Sequence, residues 1–335
     1  MRAWAVVENG QPLKEIELPT PEPKGTEVLL EVTHCGVCHS DLHIWEGYYD
    51  VGGGQKMSLK DRGVALPLAM GHEIVGRVAK LGPDATGVKV GDLRIVYPWL
   101  GCGTCETCLS EEDNMCVVAA RSLGVYQNGG YGTHVIAPHP RHLVDPGTLD
   151  PAVAATYACS GITVYSAIKK AMPLPPDEAV VLVGAGGLGL NAIAVLRALG
   201  HRNIVSVDID PVKREAAAKA GATKTVDGSG DGVTQRIVDA CGGPALAVID
   251  LVNGTTTARF AFGALRKGGR LIQVGLFGGE LMLPLPIMAI RALTVQGSYV
   301  GSPKELRELV ALAQAGELKA LPVETVPQNQ RSEEH

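Results

Sequence analysis

Val180-Val181-Leu182-Val183-Gly184-Ala185-Gly186-Gly187-Leu188-Gly189 joins an apolar run to a cluster of glycines. Its first four residues are apolar and mostly β-branched, as in a strand buried on both faces. Four glycines within the next six positions make a turn, and apolar residues continue from Leu188 to Leu199 as a helix. The glycines follow G-x-G-x-x-G, a spacing that lets backbone approach a pyrophosphate at a helix N-terminus. In a chain with 42 glycines that spacing alone is weak evidence. Asp208 strengthens it by closing the next apolar run, nineteen residues beyond Gly189. A carboxylate there accepts from both adenosine ribose hydroxyls and repels a 2′-phosphate, which points to NAD rather than NADP. Asp210 competes for that role, and an aspartate in an ordinary strand-end turn is the plain alternative. Ala179–Leu196, with only Asn191 polar, is long enough to suggest a membrane span, but its glycines and β-branched start argue against one.

Outward from this turn, Ile204–Val207, Ala247–Leu251 and Leu271–Val274 read as further strands. Pro211–Ala220 and Thr256–Leu265 read as helices between them. Such alternation predicts an α/β fold with a Rossmann-type, doubly wound parallel sheet. The first third differs. Val28–Val32, Ile74–Lys80 and Leu93–Tyr97 are short, partly alternating runs separated by turns such as Gly82-Pro83, so this part is β-rich. Ser302–Ala315, with Pro303 near its start, reads as a last helix. At about 150 residues per domain, 335 residues predict two domains. The expected division is a dinucleotide-binding domain over 161–299 and a discontinuous β-rich domain over 1–160 and 300–335.

Hydrophobic residues at 46% and charged residues at 19% exclude a disordered chain. A formal charge of −5 gives no reason to expect nucleic acid or an anionic membrane as partner. Met1–Gly10 carries Glu8 and no long apolar run, unlike a secretory signal, so a cytoplasmic, soluble protein is expected. In a reducing compartment cysteines serve as metal ligands or buried thiols. Cys102, Cys105, Cys108 and Cys116 have the spacing C-x2-C-x2-C-x7-C, which suits a closed tetrahedral zinc site, with disulfide pairing as the alternative. Cys35 and Cys38 make a C-x-x-C, but no thioredoxin-like βαβ unit surrounds them.

Taken with Cys38-His39-Ser40-Asp41 and Gly71-His72-Glu73, these motifs occur in an order that resembles the zinc-dependent, medium-chain alcohol dehydrogenases. The resemblance runs from Cys38 to Gly297–Gly301. It implies a GroES-like β-rich catalytic domain, two zinc ions per subunit and NAD. By the same resemblance Cys38, His72 and Cys159 hold the catalytic zinc, and the four clustered cysteines a structural one. Polyol dehydrogenases of the superfamily tend to offer glutamate at the third ligand, so Cys159 favours a simple alcohol dehydrogenase. Glu73 resembles a carboxylate able to approach the metal, and Asp41 one that orients the ligand histidine; salt bridging is the ordinary alternative for both.

Hydride leaves an alcohol readily once the hydroxyl has lost its proton. Bound zinc lowers the pKa of water from about 15.7 to about 7, on the order of 12 kcal/mol. A general base alone contributes roughly 3–5 kcal/mol, so a zinc-stabilised alkoxide is the expected centre of the reaction. Ser40 and His43 resemble the family's proton path to solvent, bridged by the cofactor ribose. His39 resembles a cofactor-phosphate contact and Lys213 a ribose contact. Leu188 belongs to the glycine turn, and backbone near Val274 and between Ser298 and Val300 is expected to receive the nicotinamide carboxamide. His34, His139, His142 and His201 have no motif partner and are expected at the surface or at caps.

Cys38 and His72 are separated by 33 residues, more than in compact relatives. The added segment around Asp50–Arg62 contains Gly52-Gly53-Gly54, looks mobile and is expected to border the substrate entrance. Trp45, Tyr48 and Trp99 are candidate pocket walls or core residues. The polar tail Pro327–His335 stops short of the helix and strand that family members usually add, which would leave an edge or apolar face uncovered. The expected activity is reversible hydride transfer between an alcohol, aldehyde or ketone substrate and NAD in a homotetramer or homodimer. The alternatives are an NADPH-dependent carbonyl reductase or polyol dehydrogenase, or a non-catalytic zinc- and nucleotide-binding structural protein.

Overall fold

The computed structural model describes residues 1–328. Most of the polar tail, residues 329–335, lies outside the described residues. Six strands form one parallel sheet in the spatial order Lys224–Asp227, Ile204–Asp208, Val180–Val183, Ala245–Asp250, Leu265–Gln273, Thr294–Gly297. In chain order this is 3-2-1-4-5-6, so the sheet winds in both directions from Val180–Val183. Val180 and Leu182 face one apolar core, and Val181 and Val183 face the other. Burial on both faces is the reason the run shows no polar alternation. The membrane-length stretch resolves into this strand and the helix Gly187–Ala198, and among the described residues no helix is long and apolar enough to cross a membrane.

The helix Pro211–Ala220 has the expected bounds: Asp210 caps it by accepting from the Val212 N–H at 2.8 Å, and Gly221 ends it at φ +117°. The strand expected at Leu271–Val274 instead begins at Leu265, crossing Gly268 and Gly269. Its pairing with Ala245–Asp250 shifts register between Ala245 and Ala247. Glycine and a bulge erase the side-chain pattern by which a strand is recognised.

The β-rich part contains a five-stranded antiparallel sheet ordered Leu143–Val144, Leu93–Val96, Glu73–Leu81, Val28–Gly36, His134–Ala137. A three-stranded sheet of Lys14–Glu17, Arg2–Val6 and Leu68–Ala69 lies beside it. The added segment is an ordered hairpin rather than an open loop. Tyr48–Asp50 pairs with Lys56–Ser58 around Gly52, Gly53 and Gly54, all at positive φ, and Leu59 is buried behind it.

Two helices, Pro151–Thr156 and Ile162–Ala171, join the sheets, with a π turn at Tyr157–Gly161 between them. One core runs from Val28, Leu30 and Ile74 through Val153, Ile162 and Ile168 to Val180 and Leu182. The helix Pro303–Gln314 starts at a reciprocal Ser302–Glu305 capping box and adds Leu306, Leu309 and Val310 to that core. Two histidines expected at the surface or at caps are buried. His142 Nε2 lies 3.2 Å from Asp113 Oδ1, and His201 Nε2 donates to the Glu178 carbonyl at 2.9 Å. A carboxylate and a carbonyl, each distant in sequence, pay the desolvation of the two rings. His139 does cap, accepting from the Arg141 N–H at 3.0 Å.

Candidate active site

The register Gly36↔Glu73 sets the site. It places the end of one strand beside the start of the next, so Cys38 and His72, just beyond each, emerge at the same edge of the sheet. Cys38 is also the N-cap of the helix His39–Glu46, and Asp41 in its first turn accepts from the Cys38 N–H at 3.0 Å. The same buried carboxylate accepts from the Gly71 N–H at 3.3 Å and from the Tyr131 hydroxyl at 3.4 Å. It stands 3.3 Å from His72 Nδ1. One aspartate therefore holds the two segments that carry Cys38 and His72. Cys159 arrives from the π turn, whose Ala158 carbonyl accepts from the Trp99 indole at 3.0 Å. Single π turns within α-helices recur at functional sites because they re-aim a side chain.

The candidate ligand atoms of Cys38, His72 and Cys159 all lie within 4.8 Å of one another. The two Sγ atoms are 3.8 Å apart. A tetrahedral zinc with Zn–S near 2.3 Å requires an S···S edge of about 3.8 Å. Neither ring nitrogen of buried His72 has a hydrogen-bond partner, but Nδ1 has the Asp41 carboxylate 3.3 Å away, whereas Nε2 has none, an arrangement costly for an imidazole unless a metal takes the lone pair. Three donors leave a fourth position for substrate. Donation from the Cys159 thiol holds the Cys38 thiol well below its usual range, helped by nearby His72. Glu73 is buried against Gly36, and its Oε1 accepts from the Ser160 N–H at 3.1 Å. Burial, then the Cys38 thiolate, pushes its carboxyl well above the usual range.

Cys102, Cys105, Cys108 and Cys116 also gather within 4.8 Å. Their Sγ separations of 3.5, 3.8 and 3.9 Å match the same tetrahedral edge and exceed the roughly 2.05 Å of a disulfide. Backbone N–H groups of Cys102 and Cys105 donate to Cys116 and Cys102 sulfurs at 3.3 Å, as thiolates require. Four sulfurs complete the shell, so this second site is closed. Arg141 clamps the lobe by donating to the Cys108 carbonyl at 3.0 Å and to both oxygens of buried Asp113 at 2.6 and 3.1 Å.

Dinucleotide chemistry is written in the glycines. A Cβ on Gly189 would strike the Gly184 carbonyl, whereas a Cβ on Gly186 or Gly187 would meet nothing within 4 Å. Gly189 is thus demanded by packing, and Gly186 and Gly187 leave a cradle open for a ligand. Asp208 stands at the adjoining strand end, with Oδ2 accepting from the Ala185 N–H at 2.8 Å and Oδ1 from Asp210 at 2.9 Å. Asp210, the competing candidate, is occupied as a helix cap. Lys213 is exposed, and Arg214 donates instead to the Asp208 and Ile209 carbonyls. Leu188 packs against the shared core. Ser298 Oγ is buried without a partner, and Val300 adopts φ +38°, a strained value for a β-branched residue. The Val274 N–H is taken by the Asp250 carbonyl at 2.9 Å.

Ser40 is half-buried in the first turn of the helix carrying exposed His39. His43 is not a surface histidine: its Nε2 is buried and unpartnered, its Nδ1 is 3.8 Å from Glu46, and its ring meets His39 and Tyr49 at 5.3 and 4.9 Å. Of the three aromatic wall candidates, Trp99 lies against His72 at 5.0 Å. Trp45 packs in a separate small core and donates to Gln11, while Tyr48 lies under the Lys56 ammonium at 3.6 Å. Tyr49, on His43, and Tyr299, 6.0 Å from Trp99, are site residues with no motif to announce them. Asn191 donates to Ser160 Oγ at 2.9 Å, tying the helix after the glycine turn to the π turn of Cys159.

Comparison with known proteins agrees with this geometry. Residues 24–146 match the alcohol dehydrogenase GroES-like domain and residues 187–315 the zinc-binding dehydrogenase family. An NAD-dependent alcohol dehydrogenase of Sulfurisphaera tokodaii is 37% identical, over 99% of this chain and 95% of that protein. An alcohol dehydrogenase of Geobacillus stearothermophilus is 34% identical, over 98% and 93%. Among solved structures, the alcohol dehydrogenase of Aeropyrum pernix superposes with a TM-score of 0.89 at 29% identity, covering 99% of this chain and 95% of that one. The D-arabinose dehydrogenase of Sulfolobus solfataricus gives 0.86 at 28%, covering 98% and 97%.

Proposed function

Because the chain belongs to the zinc-binding, NAD-dependent alcohol dehydrogenases of the medium-chain family, we propose that Cys38, His72 and Cys159 form the centre at which it oxidises an alcohol, reversibly, to an aldehyde or ketone. The observation that carries this assignment is the convergence of those three donors around an unpartnered His72 Nε2. Zinc, when held there, supplies Lewis acidity that lowers the pKa of a substrate hydroxyl.

The chain's own residues supply the remainder. Asp41 orients His72 through Nδ1, leaving Nε2 free as a donor to metal. Buried Trp99 walls the space beside His72, with Tyr299 edge-on to its outer side. Ser40 and His43 carry the released proton outward. Burial holds the His43 ring below its ordinary pKa of 6.5, so it is neutral at pH 7 and able to accept at Nε2. Gly184, Gly186, Gly187, Leu188 and Gly189 receive the pyrophosphate of NAD, with His39 at its phosphate. Asp208 and Lys213 meet the adenosine ribose, and Val274, Ser298 and Val300 the nicotinamide end. Glu73 stands by as an alternative carboxylate for the metal.

The proposed division into 1–160 with 300–335, and 161–299, is supported by bonds returning from the last segment. Tyr97 donates to the Gly301 carbonyl at 2.8 Å and Gln314 to the Asp145 carbonyl at 2.9 Å. A homodimer or homotetramer is supported by Thr294–Gly297, an edge strand among the described residues, and by exposed Met282, Leu285 and Ile290 in the segment before it. A cytoplasmic location is supported by six of the eight cysteines gathering in metal-ligand groups rather than pairing as disulfides.

The test is metal analysis of the purified chain with NAD-linked turnover. Two zinc ions per subunit are expected, and Cys38→Ser should keep one and lose turnover. One zinc in the unaltered protein, or full turnover by the variant, would overturn the assignment.

A further inference from the structure

A cavity of about 570 Å³ opens among Arg62, Gly63, Ala120, Arg121, Tyr126 and Gln127. Two guanidinium-bearing residues line it and no acidic residue does, in a chain whose acids outnumber its bases 35 to 30. Among the described residues neither arginine forms an ion pair, and Arg62 only rests its Nη1 on Met57 Sδ at 3.6 Å. Exposed arginines singly mean little. Here both backbones are pinned. The Arg62 N–H donates to the carbonyl of buried Leu59 at 3.1 Å, and the Arg121 N–H to the Leu100 carbonyl at 2.9 Å. The Gln127 side chain holds the Arg121 carbonyl as well.

The cavity is tied to the metal ligands through Trp99. The Arg121 and Leu123 N–H groups donate to the Leu100 and Pro98 carbonyls at 2.9 and 3.0 Å, on either side of Trp99. The Trp99 ring meets His72 at 5.0 Å and Tyr299 at 6.0 Å. The segment that lengthens the chain between Cys38 and His72 holds the hairpin of Tyr48–Asp50 and Lys56–Ser58, ends at Arg62 and so brings a charge to this cavity.

We propose that this cavity is the outer part of the substrate site and that the substrate is an anionic alcohol, or the matching aldehyde or ketone, whose carboxylate or phosphate is held by Arg62 and Arg121. The proposal rests on the dehydrogenase reading above and names the substrate class of that site. Guanidinium groups present planar forks of donors that fit carboxylate and phosphate oxygens two at a time. Two such residues lining one cavity that has no carboxylate favour an anion there by charge as well as by geometry.

The test compares ω-hydroxycarboxylates and ω-hydroxyalkyl phosphates with 1-alkanols of equal chain length, using the zinc-loaded full chain and NAD. At the best length the anion-to-alkanol ratio of kcat/KM should exceed about ten, and each of Arg62→Met and Arg121→Met should lower it roughly tenfold, chiefly through KM. Arg62→Lys should recover part of the ratio, and added salt should depress it. The anion with the larger ratio identifies the group. An alkanol preference at every length, unchanged in the double variant, overturns the anion site and leaves the dehydrogenase standing. If no alcohol is turned over, the dehydrogenase reading fails, and equilibrium binding of the same hydroxycarboxylates and phosphates then decides. Weaker binding to the double variant sustains the arginine site, and equal binding removes it.

Discussion

The carboxylate of Asp41 stands 3.3 Å from Nδ1 of His72, with both side chains fully buried. The same carboxylate accepts from the backbones of Cys38 and Gly71, so one side chain orders the two segments that carry the proposed ligands Cys38 and His72. Asp41→Asn keeps the shape but loses the charge that orients the ring. Zinc at the Cys38 site should bind about 10–100-fold more weakly. Competition with a graded chelator measures this, and the four-cysteine site should keep its ion. Equal retention of both ions in the variant would remove Asp41 from its orienting role.

The glycines of the turn separate into two kinds. Gly186→Val should leave thermal stability nearly unchanged, because the space beyond its Cα is open, yet weaken NADH binding by about tenfold or more. Gly189→Ala should instead destabilise the fold by roughly 1–3 kcal/mol, since its Cβ would meet the Gly184 carbonyl. Melting curves with NADH titration distinguish the two, and a Gly186 variant that melts early while binding normally would reverse their roles.

Asp208 is anchored to the glycine turn at the Ala185 N–H, and in the proposed role its charge would exclude a 2′-phosphate. Asp208→Gly removes that charge beside Arg214, whose guanidinium holds the Asp208 and Ile209 carbonyls. The NADH-to-NADPH ratio of kcat/KM should fall by about 10–100-fold. Unaltered cofactor preference in steady-state kinetics would show that Asp208 serves only the turn.

His201 bears on acid stability far from the reaction. Burial holds its pKa below the ordinary 6.5, against the pull of the Glu178 carbonyl. Its neutral form is the native one, so its contribution is complete above about pH 6.5 and is lost as pH falls through the lowered folded value. Urea midpoints should decline below pH 6.5, less steeply in His201→Gln. Equal slopes for the two proteins would assign the decline to other groups, such as buried His142, which is shifted the same way.

Much of the fold was legible along the chain. Val180–Val183 and Pro211–Ala220 have the bounds their patterns suggested, because a doubly buried strand and a capped helix are set by neighbours a few residues away. The strand from Leu265 was hidden by Gly268 and Gly269, which carry no side chain to show a face. At the site, the four-cysteine cluster could be read from spacing alone, since one short loop holds every donor. Tyr49, Tyr299 and Asn191 had no such signal. Each matters through a partner distant in sequence.

By itself, then, the sequence determined the parallel sheet, the glycine turn with its acidic partner and the closed cysteine site, all products of local spacing and periodicity. Which dispersed residues meet depends on how the sheets and helices pack in three dimensions. The Gly36↔Glu73 register joins Cys38 to His72, and the π turn swings Cys159 in to complete them. Arg62, just past the hairpin, comes to line one cavity with Arg121. Register and helix winding are settled by burial of whole faces against each other, and a one-residue slip in either would scatter the same side chains.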